Sequence, residues 1–534
     1  MTHLTRSIVL GCGVLVTLTA CGPDDIASPG NGGNVDIDIT TPPAPTPTPT
    51  GGGTVTPAGA CPTITDPQGL TDRGTISGPT GTYRVCQLPG TIRVSTTLPK
   101  ISGVLYSMNG RVNVGCDGGF TAPTAGAPYT STTVGCTTPL TADTNVTLTI
   151  EPGVILYGAT GQSWLAVNRG NRINAEGTAA QPIVFTSADN VAGFNSDNSI
   201  GQWGGVVLMG RGRTTDCALG SVASDTCERN TEGSADPARF GGTDDTYNAG
   251  TMRYVQIRYS GFVLGANSEL QSLTAEGIGS GTTLEYIQSH NSSDDGVEFF
   301  GGVVRMKYYV VTGADDDSLD VDTGSRTDIQ HALMIQRPGQ GDALWEIDSN
   351  GNEGDTPRTR LRVANMTAVQ PQTSANNEGS ARASLFIRGN ADATLVNSVI
   401  YSPNNECIRL NGSGGTPATL TARSVVMSCS ATKYIGTGTY NEASVAAAFG
   451  SGSNNNNDGL TSTLTMTFVN GANEDAIPTF DVTTISSFFS NTPAPYRVGA
   501  AWSGNTAWAA GWTCNSSYAN FGASSSSCTS LPTT

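Results

Sequence analysis

The sequence predicts an all-β chain wound as a three-sided parallel β-solenoid, and three observations carry that prediction. Glycine is abundant (67 of 534 residues) beside much Thr, Ser, Asn and Val, a composition of short strands and tight turns. Apolar runs recur between Gly, Asn and Asp turns, as in Leu165-Ala166-Val167, Ile183-Val184-Phe185, Val206-Val207-Leu208 and Tyr254-Val255-Gln256-Ile257. Nothing between them has helical periodicity. An antiparallel sandwich would give the same runs, so the third observation, an internal repeat, decides.

The repeat lies between residues 272 and 350. Leu273-Thr274-Ala275-Glu276-Gly277-Ile278 aligns with Asp295-Gly296-Val297-Glu298-Phe299-Phe300 at a shift of 22. A second shift of 22 reaches Asp317-Ser318-Leu319-Asp320-Val321-Asp322, and one of 26 reaches Ala343-Leu344-Trp345-Glu346-Ile347-Asp348. Two columns are mostly apolar (Ala275, Val297, Leu319, Trp345; Gly277, Phe299, Val321, Ile347), and the columns beside them are acidic. Alternation along each strand with stacking between strands is what a solenoid coil needs, apolar columns inward and acidic columns toward solvent. A period near 22 residues suits three short sides per coil, with room for roughly a dozen coils in residues 146–430.

Taken from the start, residues 1–20 read as a secretory signal: Arg6, an apolar run from Ile8 to Leu18, then small residues. The run is shorter than the roughly 20 residues a membrane-spanning helix needs. Leu18-Thr19-Ala20-Cys21 resembles the lipobox of bacterial lipoproteins, which implies acylation of Cys21 and a membrane partner reached through that lipid. Gly22 and Pro23 follow, without an inner-membrane retention Asp, so the resemblance implies the bacterial outer membrane, on its periplasmic or cell-surface face. Residues 21–60, with Thr40-Thr41-Pro42-Pro43-Ala44-Pro45-Thr46-Pro47, cannot bury a core and are expected to be an extended tether. Residues 61–145 are expected to cap the open end of the solenoid, and 431–534 to form an irregular C-terminal loop and capping segment.

Setting aside Cys12 and Cys21, ten cysteines remain, an even number that fits disulfides in an exported chain. Short separations favour sequential pairing (Cys61/Cys86, Cys116/Cys136, Cys217/Cys227, Cys407/Cys429, Cys514/Cys528), although sequence does not fix connectivity. No CxxC or Cys/His spacing supports a zinc cluster, and His is scarce. The formal charge is −17, with lysine only at Lys100, Lys307 and Lys433. Such a surface argues against nucleic acid, which needs a basic face, and permits divalent cations or glycans. Gly158-Ala159-Thr160-Gly161 is too loose for a phosphate loop, and no nucleophile elbow stands out.

The chain resembles a group of bacterial exported and lipid-anchored proteins with a pectate-lyase-like right-handed parallel β-helix. The resemblance rests on Ile150-Glu151-Pro152-Gly153-Val154, Ala175-Glu176-Gly177-Thr178 with Pro182-Ile183-Val184-Phe185-Thr186-Ser187, and Gln202-Trp203-Gly204-Gly205. It continues through Asp294-Asp295-Gly296-Val297-Glu298-Phe299-Phe300-Gly301-Gly302 and the closing Trp508-Ala509-Ala510-Gly511-Trp512-Thr513. These motifs specify an architecture and no reaction.

The densest chemistry is Asp294, Asp295 and Glu298, repeated 22 residues later as Asp316, Asp317 and Asp320, with Asp322 beside them and Asp342 and Glu346 one coil on. Stacked in register, like charges would stand about 4.8 Å apart, so pKa values rise or a cation intervenes. Carboxylate and carbonyl oxygens mean Ca²⁺ first, Mg²⁺ or Mn²⁺ second. The alternative is that these acids cap turns through Asx bonds, the reading favoured at Asp244-Asp245 and Asp348-Ser349-Asn350.

Two functions follow. One is a non-catalytic surface scaffold or binding protein engaging polysaccharide or an envelope protein, with the cation structural. The other, implied by the resemblance, is a Ca²⁺-dependent polysaccharide lyase or glycoside hydrolase. It would use the same acids, Lys307 or Arg326 as base, and His290 or His331 as proton carriers. Asn454-Asn455-Asn456-Asn457-Asp458 reads as a mobile loop and Leu460–Val469 as a strand. Trp502, Trp508 and Trp512 are expected to seal the C-terminal end of the solenoid.

Overall fold

The computed structural model describes residues 55–532 except 233–237, 266–267, 350–352, 374–382 and 413–414. The signal, Cys21 and nearly all of the tether lie outside the described residues. Parallel strands stack into a 15-stranded and an 11-stranded sheet, the expected all-β parallel β-helix. Among the described residues no helix is long and apolar enough to cross a membrane.

The strand Gly250–Arg258 shows why the coil has three sides. Its first half pairs with Arg172–Glu176 and its second with Ile183–Ser187, two different strands of the preceding coil. Between the halves Tyr254 takes a left-handed φ of 51°. The same corner recurs coil after coil at Tyr286, Tyr308, His331, Asn365, Asn397 and Ser424, each with φ between 47° and 62°. One long strand therefore covers two sides of the triangle, and the 11-stranded sheet forms the third. Inside runs one apolar column of Val, Leu, Ile, Met and Phe, from Ile64 to Phe449.

Parallel stacking begins earlier than the sequence suggests. Gly81–Gln87 closes an antiparallel hairpin with Thr71–Gly78 and then pairs in parallel with Val104–Met108, inside the segment expected to be a cap. These first coils lack the acidic alternation, which hid their period. All five sequential disulfides form.

The far end departs from expectation in three ways. Helix Glu442–Phe449 packs Val445 and Phe449 onto the last rung, so it closes the solenoid there, and the tryptophans do not. Asn456, expected in a mobile loop, is buried and donates to Ala422 O (3.0 Å) and Phe449 O (2.7 Å). Leu460–Val469 holds one antiparallel bridge, Thr465 to Val469, around left-handed Met466 and Thr467, instead of a strand.

Beyond it the chain runs back along the outside of the coils. Asn397 exchanges two hydrogen bonds with the Phe480 backbone (2.9 and 2.7 Å), Gln330 two with Ser490 (2.6 and 3.0 Å), and Gln288 two with Cys514 (3.1 and 2.7 Å). Under this wrap the second side is apolar outside as well as inside, through Val310, Leu333, Ile335 and Val369. Strands buried on both faces lose alternation, which is why those runs read as continuous. Trp508 and Trp512 pack here, on the stacked rings of Tyr254, Tyr286 and Tyr308.

Candidate functional site

The third side carries the acidic ladder. Its register aligns Thr274, Glu298, Asp320, Glu346, Phe386 and Arg409 across successive coils. The steps of 22 and 26 residues hold, whereas the first step is 24 (Leu273 to Val297), so Glu276 stands beside Phe300 and Asp322 and not beside Glu298. A slip of two residues keeps every side chain on its face, so alternation could not expose it. The turn acids Asp294, Asp295, Asp316, Asp317 and Asp342 precede these strands and stack at the same edge.

These acids do not face open solvent as the sequence suggests. Asp294, Asp295, Glu298, Asp317, Asp322 and Asp342 are buried, while Asp316 and Glu346 keep partial exposure. Residues 211–232 and 238–249 leave the coil, and Ala238 and Phe240 pack over the third side against Met209 and Phe300. Where this cover ends, the ladder opens outward.

The turn acids commit some of their oxygens to hydrogen bonds and leave others facing one another. Asp317 N–H donates to Asp295 Oδ1 (2.9 Å) and Ala343 N–H to Asp317 Oδ1 (2.7 Å), so one oxygen of each stitches a coil to the next. Gly296 permits this closeness, because a Cβ there would stand 2.6 Å from Ser318 O. The other oxygens converge. Carboxylate atoms lie within 4.8 Å of one another in three overlapping sets: Asp294/Asp295/Asp316, Asp295/Glu298/Asp320 and Asp316/Asp317/Asp342. Asp294 Oδ2 and Glu298 Oε1 are buried with no hydrogen-bond partner among the described residues.

Burial raises Asp294, Asp295, Glu298, Asp316, Asp317, Asp320 and Asp322, and neighbouring charges add to it in all of them but Asp294. Asp295, Glu298, Asp316, Asp317 and Asp320 are pushed well above the usual carboxylate range, by desolvation first and by one another second. Asp294 and Asp322 rise to about 7 through burial. Glu298 is flanked by Glu232 and Asp320, whose charges oppose its ionisation. Buried carboxyls crowded this closely need protons or a cation to neutralise them. An all-oxygen donor set with orphaned buried oxygens fits a hard divalent cation, Ca²⁺ before Mg²⁺.

Sequence missed Glu232 and Glu269, both raised to about 8 by burial, because each arrives from an excursion outside the repeat. It also missed Arg388, which pairs with Glu346 (2.9 Å) and Asp348 (2.8 Å) at the ladder's edge. The expected basic partners stand elsewhere. Lys307 lies on the first side opposite Glu285 in register, and Arg326 is held by Asp245 (2.7 Å). His290 is buried against Thr312 (2.8 Å) and His331 is buried beside Tyr308, with burial depressing both imidazoles. Asp244 caps its own turn through the Thr246 N–H (2.9 Å), as expected.

A family model described as a pectate-lyase like beta helix domain matches residues 129–513. No curated protein matches the sequence. Among solved structures, an alginate lyase from Paenibacillus sp. str. FPU-7 is similar at 12% identity and a TM-score of 0.21, covering 53% of this chain and 80% of that one.

Proposed function

The chain belongs to the family of pectate-lyase-like β-helix domains, and from that premise we propose that it is a glycan-binding protein of the bacterial envelope whose acidic ladder holds divalent cations, Ca²⁺ first. The observation that carries this reading is the set of Asp294, Asp295, Glu298, Asp316, Asp317, Asp320 and Asp342 oxygens gathered within 4.8 Å in overlapping threes, with Asp294 Oδ2 and Glu298 Oε1 buried and unpartnered among the described residues. Fold alone does not assign a reaction, so the argument rests on the site.

The cation would neutralise the ladder in place of protons, with the partly exposed Asp316 on its open edge. An acidic sugar would reach the metal there through its own oxygens. Binding is favoured over lyase chemistry because Lys307 and Arg326 stand on another side of the triangle, and Arg388 at the ladder's edge is already engaged by Glu346 and Asp348. The lipobox-like Leu18-Thr19-Ala20-Cys21 supports anchoring at the outer membrane through acylated Cys21, with the Pro/Thr-rich segment ahead of Val55 as the tether and Val55 to Ala58 hydrogen-bonded to the first coils.

Calorimetric titration of the full chain with Ca²⁺ tests the reading. Saturable binding that weakens at least about tenfold in Asp316→Asn/Asp320→Asn is expected, since each variant removes a charged ligand oxygen. Titration heats equal to dilution would refute it.

A further inference from the structure

The turn ahead of strand Thr147–Ile150 carries a sequence that the ladder does not use. Five Asn-x-Ser/Thr sequences occur in the chain, at Asn145, Asn291, Asn365, Asn411 and Asn515. Such a sequence is an acceptor for N-linked sugar when it lies on the surface of an exported chain. Asp143-Thr144-Asn145-Val146-Thr147 differs from the other four in holding a carboxylate two positions before the Asn. Ser289, Val363, Arg409 and Thr513 stand at that place in the others. An acid before the acceptor amide and a hydroxyl after it give a transferase one charge and one hydrogen-bonding group to grip.

The fold separates these sequences further. Asn291 and Asn365 have no solvent exposure. Asn291 spends its amide hydrogens on Asp197 O (2.8 Å) and Ser199 O (3.1 Å), and Asn515 spends its own on Gly522 O (3.0 Å) and Ser525 O (3.1 Å). Asn145 is exposed, at a left-handed φ of 48° that Asn tolerates in turns. Among the described residues its Nδ2 donates once, to Asp143 O (3.0 Å), so the second hydrogen can be replaced with no bond lost. Asn145 also lines a polar cavity of about 210 Å³. That is below the roughly 300–1,000 Å³ of a free ligand's pocket, a size that suits one ring held by a covalent link. Of the other lining groups, Arg211 and Asp143 are closed on each other (2.6 and 2.8 Å). Three more keep capacity. Tyr247 Oη accepts the Gly170 N–H (2.7 Å) and has its own hydrogen to donate. Arg172 donates through Nε to Asn248 O (3.2 Å), and Asp244 accepts from Thr246 on Oδ1, which leaves the terminal guanidinium nitrogens and Oδ2.

We propose that Asn145 is an N-glycosylation site and that this cavity seats the first sugar. The donor class is an oligosaccharide joined through pyrophosphate to a polyprenyl lipid. Asn145 Nδ2 bonds to the anomeric carbon as the bond from that carbon to the phosphate oxygen breaks. The lipid pyrophosphate leaves with that oxygen, and Nδ2 gives one proton to a base of the transferase. In the folded chain Asp143 is paired with Arg211 and Thr147 lies in a strand. Transfer therefore precedes folding, while residues 143–147 are still extended during export. Folding then closes Arg211 on Asp143 and lays the sugar against Tyr247 and Arg172. The inference rests on the export reading of residues 1–21 and owes nothing to the ladder.

The test is peptide mass spectrometry of the full chain isolated from the cells that make it, as wild type, Asn145→Gln, Thr147→Val and Thr147→Ser. The expected result is an oligosaccharide mass on the peptide holding Asn145, lost in Asn145→Gln and Thr147→Val and kept in Thr147→Ser. Asn291, Asn365 and Asn515 should carry none, and circular dichroism of each variant establishes that it is folded. Unmodified Asn145 in a chain that begins at acylated Cys21 would overturn the proposal and leave the export reading standing. A chain that keeps residues 1–20 would overturn both. Amide exchange at residues 145–148 and 170–172 should be faster in Asn145→Gln than in the glycosylated chain, and equal exchange would overturn the seating of the sugar.

Discussion

Arg169 has no solvent exposure and spends its guanidinium on two carboxylates, Asp117 at 2.7 and 2.8 Å and Glu228 at 2.6 Å, and on the Gly241 carbonyl at 3.0 Å. Burial alone would raise the Asp117 carboxyl, and Arg169 beside it holds it below the usual range instead. Removing one partner of such a pair leaves a buried charge, so Asp117→Asn should cost about 3–5 kcal/mol in denaturant unfolding. With its folded pKa depressed, Asp117 contributes stability above its unfolded value of about 3.9 that is lost as pH falls through the folded value. Stability of the wild type should therefore fall on acidification below about pH 4, more steeply than in the variant. Glu298 is the opposite case, a carboxyl raised by burial and by Glu232, Asp320, Asp295 and Asp294. Glu298→Gln should be neutral or stabilising in EDTA while weakening Ca²⁺ binding, because it removes charge that only a proton or a cation offsets. The ladder acids themselves were legible in sequence, since Asp294-Asp295 and Asp316-Asp317 repeat at the coil period. Glu232 was not, for a residue on an excursion leaves no periodic trace.

At the scale of elements, the corner residues explain what the sequence concealed. Left-handed φ is costly for a side chain with a Cβ and is kept only where surroundings impose it. Here stacked rings supply part of that constraint, with Tyr254–Tyr286 and Tyr286–Tyr308 centroids each 4.3 Å apart. Tyr, His, Asn and Ser share one conformation, so no residue type announced the corner, and a three-sided coil was readable only from its period. The C-terminal wrap was hidden for another reason: its hydrogen bonds run from Gln and Asn side chains to backbone, a pattern blind to the wrap's own sequence. Trp512, buried against Tyr254 and Tyr286, should be its main anchor. Trp512→Ala should cost about 3–5 kcal/mol, the usual price of a buried aromatic. Hydrogen exchange should localise the loss to residues around 508–521, with the stacked strands beneath still protected. Uniform loss of protection through the coils would show instead that the wrap and the stack unfold as one unit.

Across the whole molecule, opposite charges occupy different sides of one triangle. Acids collect on the third side, partly beneath Ala238 and Phe240, and arginines and a lysine line the first side. A solenoid makes this segregation easy, because each residue added per coil extends a column and leaves the other sides untouched. Fold class and disulfide pairing were legible because they depend on repetition and short separations, whereas a uniform period was not, since excursions stretch steps such as Val206 to Leu273 and Trp345 to Leu385. The burial of the ladder was not, because it depends on chain that leaves the repeat.

The account's central claim is that a divalent cation neutralises that buried acid, and thermal unfolding of the full chain in EDTA and in millimolar Ca²⁺, at pH 5 and pH 8, tests it most directly. Asp294 and Asp322 are raised to about 7 in the fold against about 3.9 unfolded, so their contribution is full below pH 4 and lost as pH rises through 7. The metal-free chain should therefore melt lower at pH 8 than at pH 5. Calcium at a hundredfold excess over its dissociation constant should restore about 2.7 kcal/mol, a rise of a few degrees at pH 8 that shrinks at pH 5 and vanishes in Asp316→Asn/Asp320→Asn. Identical melting in EDTA and Ca²⁺ at both pH values would contradict the claim and leave the ladder as protonated turn residues in a binding scaffold.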